Sequence, residues 1–215
     1  MSSLPLISCV MVTADRHQFC RRAIKSYVDQ SYPNKELIVL DNGETPMDDL
    51  LVDVPDSEIR YKRVTKTPDM TLGDLRNESL NLVGGDIVVP QWDDDDWSPP
   101  NRLEYQYQSL VSHEVEACTL LATLMHVDQP RYFDNPFLGL LAGGVPSTIM
   151  HRRDDSVRFP SLPRKEDTVY KSTWMKRPYL ILPMSDSHLY MRYFHGDNVW
   201  EIDHFLRRLR NTPKD

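Results

Sequence analysis

The sequence is short of the features that mark secreted, membrane-spanning or nucleic-acid-binding chains. It has three cysteines, Cys9, Cys20 and Cys118. Their number is odd, no CxxC spacing links them, and all fall in stretches that read as buried elements. That pattern argues against a disulfide framework, a zinc site or a redox pair. No apolar stretch approaches the ~20 residues of a membrane span. The opening Met1-Ser2-Ser3-Leu4-Pro5 lacks the charged start and apolar core of a signal peptide. A reduced, cytoplasmic setting is therefore the expectation, with attachment to the inner membrane face as the one variation. Positive charge is also scarce: 25 basic residues against 32 acidic ones leave a net charge of −7, so no nucleic-acid partner is expected. Only 8 glycines are present, and none lies between Thr13 and Arg16, where a glycine-rich phosphate loop would follow a first strand.

What is present is an ordinary globular composition, 40% hydrophobic and 27% charged over 215 residues, a size that suits one domain. Leu6–Val12 and Lys35–Leu40 are short apolar runs that read as strands buried on both faces, and His17–Tyr32 between them has helical spacing. This β-α-β opening predicts a parallel sheet with right-handed crossovers. Ile59–Val64 alternates like a strand. Thr71–Val83 reads as a helix opened by a Thr71/Asp74 capping box and stopped by Gly84-Gly85. Asp86–Trp92 is a further strand, and a helix follows Pro99-Pro100 as far as His113. Cys118–Val127 and Val145–Arg152 read as single strands, Glu166–Met175 as a helix, Tyr179–Leu182 as a strand and Glu201–Arg210 as a closing amphipathic helix. The loop between Asp134 and Gly144 has no clear period.

The most informative stretch is Asp93-Asp94-Asp95-Asp96 at the end of a strand. Ligands of open α/β sheets bind outside the carboxyl ends of the strands, and Asp41 ends a neighbouring one. Adjacent carboxylates repel each other, so a cation is the usual means of holding them together. The alternative is a solvated acidic loop, but an apolar strand on one side and Trp97-Ser98-Pro99-Pro100 on the other hold this run rigidly.

These residues carry a resemblance. Gly85-Asp86-Ile87-Val88-Val89-Pro90-Gln91-Trp92-Asp93-Asp94-Asp95-Asp96-Trp97, with its Asp-x-Asp (DXD) element, resembles the acidic segment of glycosyltransferase family 2. Ser8–Arg16 is similar to that family's first strand and turn, although Ala14 and Asp15 stand where an aromatic residue and Asn are usual. Glu36–Gly43, Leu75-Arg76-Asn77, Glu166-Asp167 and His195–Trp200 resemble its remaining motifs, in the same order. The resemblance implies a GT-A type α/β fold, with a Rossmann-like, mostly parallel central sheet flanked by helices. One domain over 1–215 is expected, with 1–97 as the nucleotide-binding half and 98–215 as the acceptor and catalytic half. It further implies inverting transfer of a sugar from a nucleoside-diphosphate donor, UDP being favoured, to an acceptor hydroxyl on a glycan, lipid-linked or protein acceptor.

The same resemblance implies roles. Thr13 and Asp41 would flank the base, Arg76 would lie near the nucleotide, Asp93 would address the ribose or the ion, and Asp94 would contact the nucleotide. Asp95 and His195 would hold Mn²⁺ or Mg²⁺ against the diphosphate. Asp167 would be the general base, with Glu166 beside it. The chemistry is consistent with this: a leaving diphosphate needs charge neutralisation, and carboxylates suit hard divalent ions, with imidazole better tolerated by Mn²⁺. The chain is short for the family, which leaves the acceptor region 129–163 small or completed by a partner, a second copy included.

Each of these residues also has a plainer reading. Arg76 is equally a surface partner of Glu78 or Asp74. Glu166-Asp167 is what a helix dipole favours at its start, and His195 could be an ordinary strand-end histidine. His151, His188 and His204 are given no role. Trp92 and Trp97 read as packing around the acidic loop, with the acceptor as an alternative neighbour for Trp97. Arg207, Arg208 and Arg210 read as a solvated helix face, with an anionic lipid as the alternative contact. Two competing functions are a sugar-nucleotide pyrophosphorylase-like enzyme and a non-catalytic nucleotide-sugar binding module. The missing glycine-rich loop weighs against the first, and the retained Asp167 and His195 against the second.

Overall fold

The computed structural model of the chain describes residues 4–65 and 67–211, with side chains through Arg208. Ile7–Thr13 forms β1 and Lys35–Asp41 forms β2; they pair in parallel from Ile7 opposite Lys35 to Thr13 opposite Asp41. Both strands are buried along nearly their whole length, which is why they read as continuous apolar runs rather than alternating ones. Helix α1, His17–Val28, makes the crossover on the buried side chains of Cys20, Ala23, Ile24 and Tyr27. β3, Ile59–Arg63, extends the sheet beyond β2.

α2, Leu72–Leu80, opens on the expected capping box: Thr71 N donates to Asp74 Oδ2 at 2.9 Å and Asp74 N to Thr71 Oγ1 at 3.3 Å. β4, Ile87–Val89, then pairs with the other edge of β1. The chain thus builds outward from β1 in both directions. The β1/β4 boundary, where the strand order reverses, is where such sheets open a crevice for ligands.

The remaining elements are α3 (Arg102–Ser112), β5 (Ala117–Leu120), β6 (Ala122–Val127), β7 (Phe137–Leu140), β8 (Met150–Arg152), α4 (Glu166–Trp174), β9 (Tyr179–Leu182), β10 (Met191–Phe194) and α5 (Ile202–Asn211). The main sheet is seven-stranded, in the order β3-β2-β1-β4-β8-β5-β9. Only β8 runs against its neighbours, so the sheet is mostly parallel. A second, three-stranded sheet, β10-β6-β7, carries α5. Among the described residues the buried side chains form three clusters, the third of them (Met125, Val127, Phe194, Phe205) lying between the small sheet and α5.

Four sequence expectations need correction. Cys118–Val127 is two strands in two sheets, broken at Leu121. The Leu121 N–H donates to Leu182 O at 3.0 Å in one sheet, while its carbonyl accepts from Leu141 N at 3.0 Å toward the other. An unbroken apolar run carries no mark of such a change of sheet. Val145–Arg152 contains a short 3₁₀ turn at Pro146–Thr148 before β8, because Pro146 has no N–H for a ladder. Thr148 Oγ1 instead accepts from Leu120 N at 2.9 Å. The stretch without clear period contains β7, and β10 is a strand the sequence did not mark.

Candidate active site

The acidic run leaves β4 and is anchored at both ends. Trp92 N donates to Val10 O at 2.7 Å and its indole Nε1 to Ala23 O at 2.9 Å. Trp97 exchanges two backbone hydrogen bonds with Met191, at 3.0 and 2.9 Å, tying the end of the loop to β10. Between these anchors the four carboxylates point to different partners. Asp93 lies 3.6 Å from Arg76 Nη2 and 3.2 Å from Tyr190 Oη. Asp94 accepts from Thr13 Oγ1 at 2.6 Å and pairs with Arg16 Nη1 at 2.9 Å. Asp95 Oδ2 meets Arg16 Nη2 at 2.5 Å, with His195 Nε2 and Asn198 Nδ2 each at 3.2 Å. Asp96 is held by Tyr190 Oη at 2.7 Å and by the Tyr193 N–H at 3.0 Å.

The electrostatics separate them. Burial raises Asp93, Asp94 and Asp96 above the usual carboxylate range, with Asp94 pushed up to about 7. Burial pushes Asp95 the same way, but the His195 hydrogen bond and the Arg16 charge outweigh it and hold this carboxyl below its ordinary value. Asp95 is therefore the member of the run best kept as an anion.

Arg76 is not a surface residue. Its Nε donates to Glu166 Oε1 at 3.0 Å and its side chain is only 10% exposed. The two partners the sequence offered it are engaged elsewhere, Asp74 in the α2 cap and Glu78 with Lys62. Arg76 thus joins the acidic run to the first turn of α4. Glu166 is buried there, and burial raises its carboxyl, with Arg76 pulling it back. Asp167, next to it and more open, accepts from Thr168 N at 2.5 Å.

A cavity of about 530 Å³ opens between these walls. It brings together Arg76, Asp93, Asp94, Asp95, Glu166 and Asp167 of the expected residues. Thr13 and Asp41 stand beside each other at the ends of β1 and β2 but are not on its wall. Asp41 accepts from Tyr61 Oη at 2.7 Å and Gly43 N at 2.8 Å, and Arg63 Nε lies 3.5 Å away. Gly43 has no freedom to be another residue, because a Cβ there would come within 2.6 Å of the Asp15 backbone nitrogen. Asp15 uses its carboxylate to tie this loop, accepting from Thr45 N at 2.9 Å and Glu44 N at 3.0 Å. His195 also lies off the cavity wall, stacked on Phe19 at 3.7 Å, and reaches the acidic run through Asp95.

A family model described as glycosyl transferase family 2 matches residues 8–168. The chain belongs to glycosyltransferase family 2. Among curated relatives, the Escherichia coli (strain K12) protein WcaA, named for a glycosyl transferase of colanic acid biosynthesis, is 36% identical over 119 residues. That match covers 53% of this chain and 42% of the relative. An uncharacterized glycosyltransferase of Haemophilus influenzae is 27% identical over 114 residues, covering 53% of this chain and 45% of its own length. The chain thus spans less than half of either protein in these matches.

Solved structures share the fold. S. aureus TarS 1–349, crystallised with UDP-GlcNAc, superposes with a TM-score of 0.71 at 15% identity, over 89% of this chain and 59% of that one. The mannosyltransferase PcManGT from Pyrobaculum calidifontis, in complex with GDP-Man and Mn2+, gives 0.70 at 17% identity, over 100% of this chain and 67% of that one.

For a family 2 member, the donor set at Asp95 bears on metal binding. Among the described residues no three His, Cys, Asp or Glu side chains form a metal cage. Two donors do converge, and a cation already sits on both: Arg16 Nη2 is 2.5 Å from Asp95 Oδ2 and 3.1 Å from His195 Nε2. One carboxylate and one imidazole fit an ion that takes the rest of its shell from diphosphate oxygens and water, as Mg²⁺ commonly does. Arg16, Tyr190 and Arg192 are neighbours of the acidic run that the sequence did not mark. Arg16 lay inside a quoted motif without a role. Tyr190 directly precedes β10 and Arg192 lies within it, a strand that had no periodic signal.

Proposed function

We propose that this chain transfers a glycosyl group from a nucleoside-diphosphate sugar to an acceptor hydroxyl, with inversion at the anomeric carbon. The reading rests on one arrangement. A rigid acidic run forms one wall of the cavity, Glu166-Asp167 forms another, and Arg76 spans from one to the other. In this reading residues 1–97 hold the donor and 98–215 the acceptor. TarS with UDP-GlcNAc and PcManGT with GDP-Man and Mn2+ support a nucleotide-sugar donor, of which UDP is our choice.

Asp95 and His195 would hold the divalent ion, Mn²⁺ or Mg²⁺. The ion supplies charge neutralisation to the leaving diphosphate. Thr13 and Asp41 would lie toward the base, and Asp93 and Asp94 toward the ribose and phosphates. Arg16, which pairs with Asp95 here, would give that carboxylate up to the ion and could then pair with the diphosphate. Asp167 takes the proton from the acceptor hydroxyl as that oxygen attacks the anomeric carbon. Glu166 acts through Arg76, fixing the position of the α4 start.

The test is Asp167→Asn, which keeps shape and removes basicity. Turnover should fall about 10²–10⁴-fold, the usual weight of a general base, while donor affinity survives. Product NMR should show the inverted anomer. Wild-type turnover in the variant, or a retained configuration, would overturn the assignment.

A further inference from the structure

Part of the cavity wall is basic. Arg164, Lys165, Arg192 and Arg208 make it up. The carboxylates in the cavity wall are Asp93 to Asp96, Glu166 and Asp167. Arg16 and Arg76 are the cations that pair with most of these. Arg164 lies over the Trp200 ring at 5.4 Å and, like Lys165, has no ion-pair partner among the described residues. Arg192 Nε is buried with no hydrogen-bond partner, its nearest carboxylate oxygen being Asp96 Oδ2 at 4.0 Å.

His204 stacks on Trp200 at 4.6 Å in the same wall, so a histidine given no role in the sequence lies inside the site. Burial first, and then the nearby Arg192, Arg208 and Arg207, push its imidazole down to about 4. Burial, Arg192 and Arg207 likewise lower Arg208. Arg208 therefore belongs to the cavity and not to a solvated face, while Arg207 remains outside and the Arg210 side chain lies outside the described residues.

Arg192 and Arg208 are half-buried and repel each other while Arg164 and Lys165 are exposed, and a chain of net charge −7 has acidic residues to spare for neutralising them. Among the described residues, Asp167 acts on Arg208 and Asp96 lies 4.0 Å from Arg192. Lys165 holds the left-handed conformation at φ 65° directly before Glu166, so this basic wall is built at the cost of local strain.

We propose that the acceptor is anionic, a sugar or glycan bearing a carboxylate or phosphate, whose charged group is held by Arg164, Lys165, Arg192 and Arg208 so that a neighbouring hydroxyl meets Asp167. This deepens the proposed function and rests on it for the role of Asp167. The Trp200 ring provides an apolar face beside the anion site, and planar guanidinium groups match carboxylate and phosphate oxygens in pairs.

The experiment measures binding of three probes, methyl β-glucuronide, glucose 6-phosphate and neutral methyl β-glucoside, by calorimetry or ligand-observed NMR, with the protein holding UDP and Mn²⁺. UDP affinity is measured separately, so a failure to bind UDP counts against the donor reading alone. The probes are then repeated without nucleotide. At least one charged probe should bind about tenfold tighter than the neutral one, the size of one good charged contact. Arg164→Gln with Arg208→Gln should erase that difference and leave UDP affinity within about twofold. Arg164→Gln alone, at an unpaired position, gives the same readout if the double variant is unstable. Equal affinity for charged and neutral probes, or no charged-probe binding at millimolar concentration, would overturn the proposal. So would a double variant that loses UDP and leaves the probe preference intact, since the anion held there is then the donor diphosphate.

Discussion

Replacing Arg76 with methionine isolates the contact on which the arrangement of the cavity depends. Arg76 and Glu166 have side chains only 10% and 4% exposed and meet at 3.0 Å. Removing the guanidinium leaves Glu166 buried and uncompensated, and Asp93 loses the same neighbour at 3.6 Å. Breaking a buried pair from one side costs about 3–5 kcal/mol, mostly because a charge is stranded. For a chain of this size, at about 2–4 °C per kcal/mol, that is a fall of roughly 10 °C in Tm.

Burial already raises the Glu166 carboxyl, and loss of Arg76 raises it further. A carboxyl raised in the folded state favours folding at low pH and loses that contribution as pH climbs through its folded value. The Arg76→Met deficit should therefore be larger at pH 8 than at pH 5. Adding Glu166→Gln removes the stranded charge, so the double variant should recover most of the loss. Urea and thermal unfolding of wild type, both single variants and the double variant measure the cycle. A deficit below about 1 kcal/mol, which is what a surface pair gives, or a double variant no more stable than Arg76→Met, would refute the reasoning.

Two further outcomes follow from the same structure. Asp95→Asn should weaken metal-dependent UDP binding by at least about tenfold, with His195→Ala acting less severely, and excess chelator should reduce wild-type affinity in calorimetry. Unchanged UDP affinity in chelator would remove the ion from the site. His151 lies buried between Tyr170 Oη at 2.8 Å and the Trp174 ring at 4.1 Å, and burial pushes it down to about 4. A histidine lowered in the folded state contributes stability above its unfolded value near 6.5, and that stability is lost as pH falls toward 4. The loss approaches about 3 kcal/mol. His151→Gln should flatten this acid limb in urea titrations, and an identical limb would count against it.

The order and type of the first five elements were legible because each had a period or a stop of its own. β1 and β2 are apolar runs between polar turns, α2 has its capping box, and Gly84-Gly85 marks its end. The acidic run was legible as a candidate site because four adjacent carboxylates after an apolar strand have few other uses, and the structure places all four on the cavity wall. Family 2 membership, anticipated from the motifs, is borne out by the model match across residues 8–168. The second sheet was not legible. β6 continues β5 without a breaker and β10 has no alternation, so only long-range pairing assigns them to a sheet. The partners of single charges were hidden for the same reason. Sequence offered Arg76 its helical neighbours Asp74 and Glu78, whereas folding brings it Glu166 from 90 positions away. Arg16 and Asp95 meet across 79 positions. Composition and period determine which residues are buried and which strands form, because those depend on local backbone geometry and hydrophobicity. Which charges share a cavity, and whether Arg208 faces solvent or the cavity, depends on how separate elements pack, and only the tertiary structure decides that.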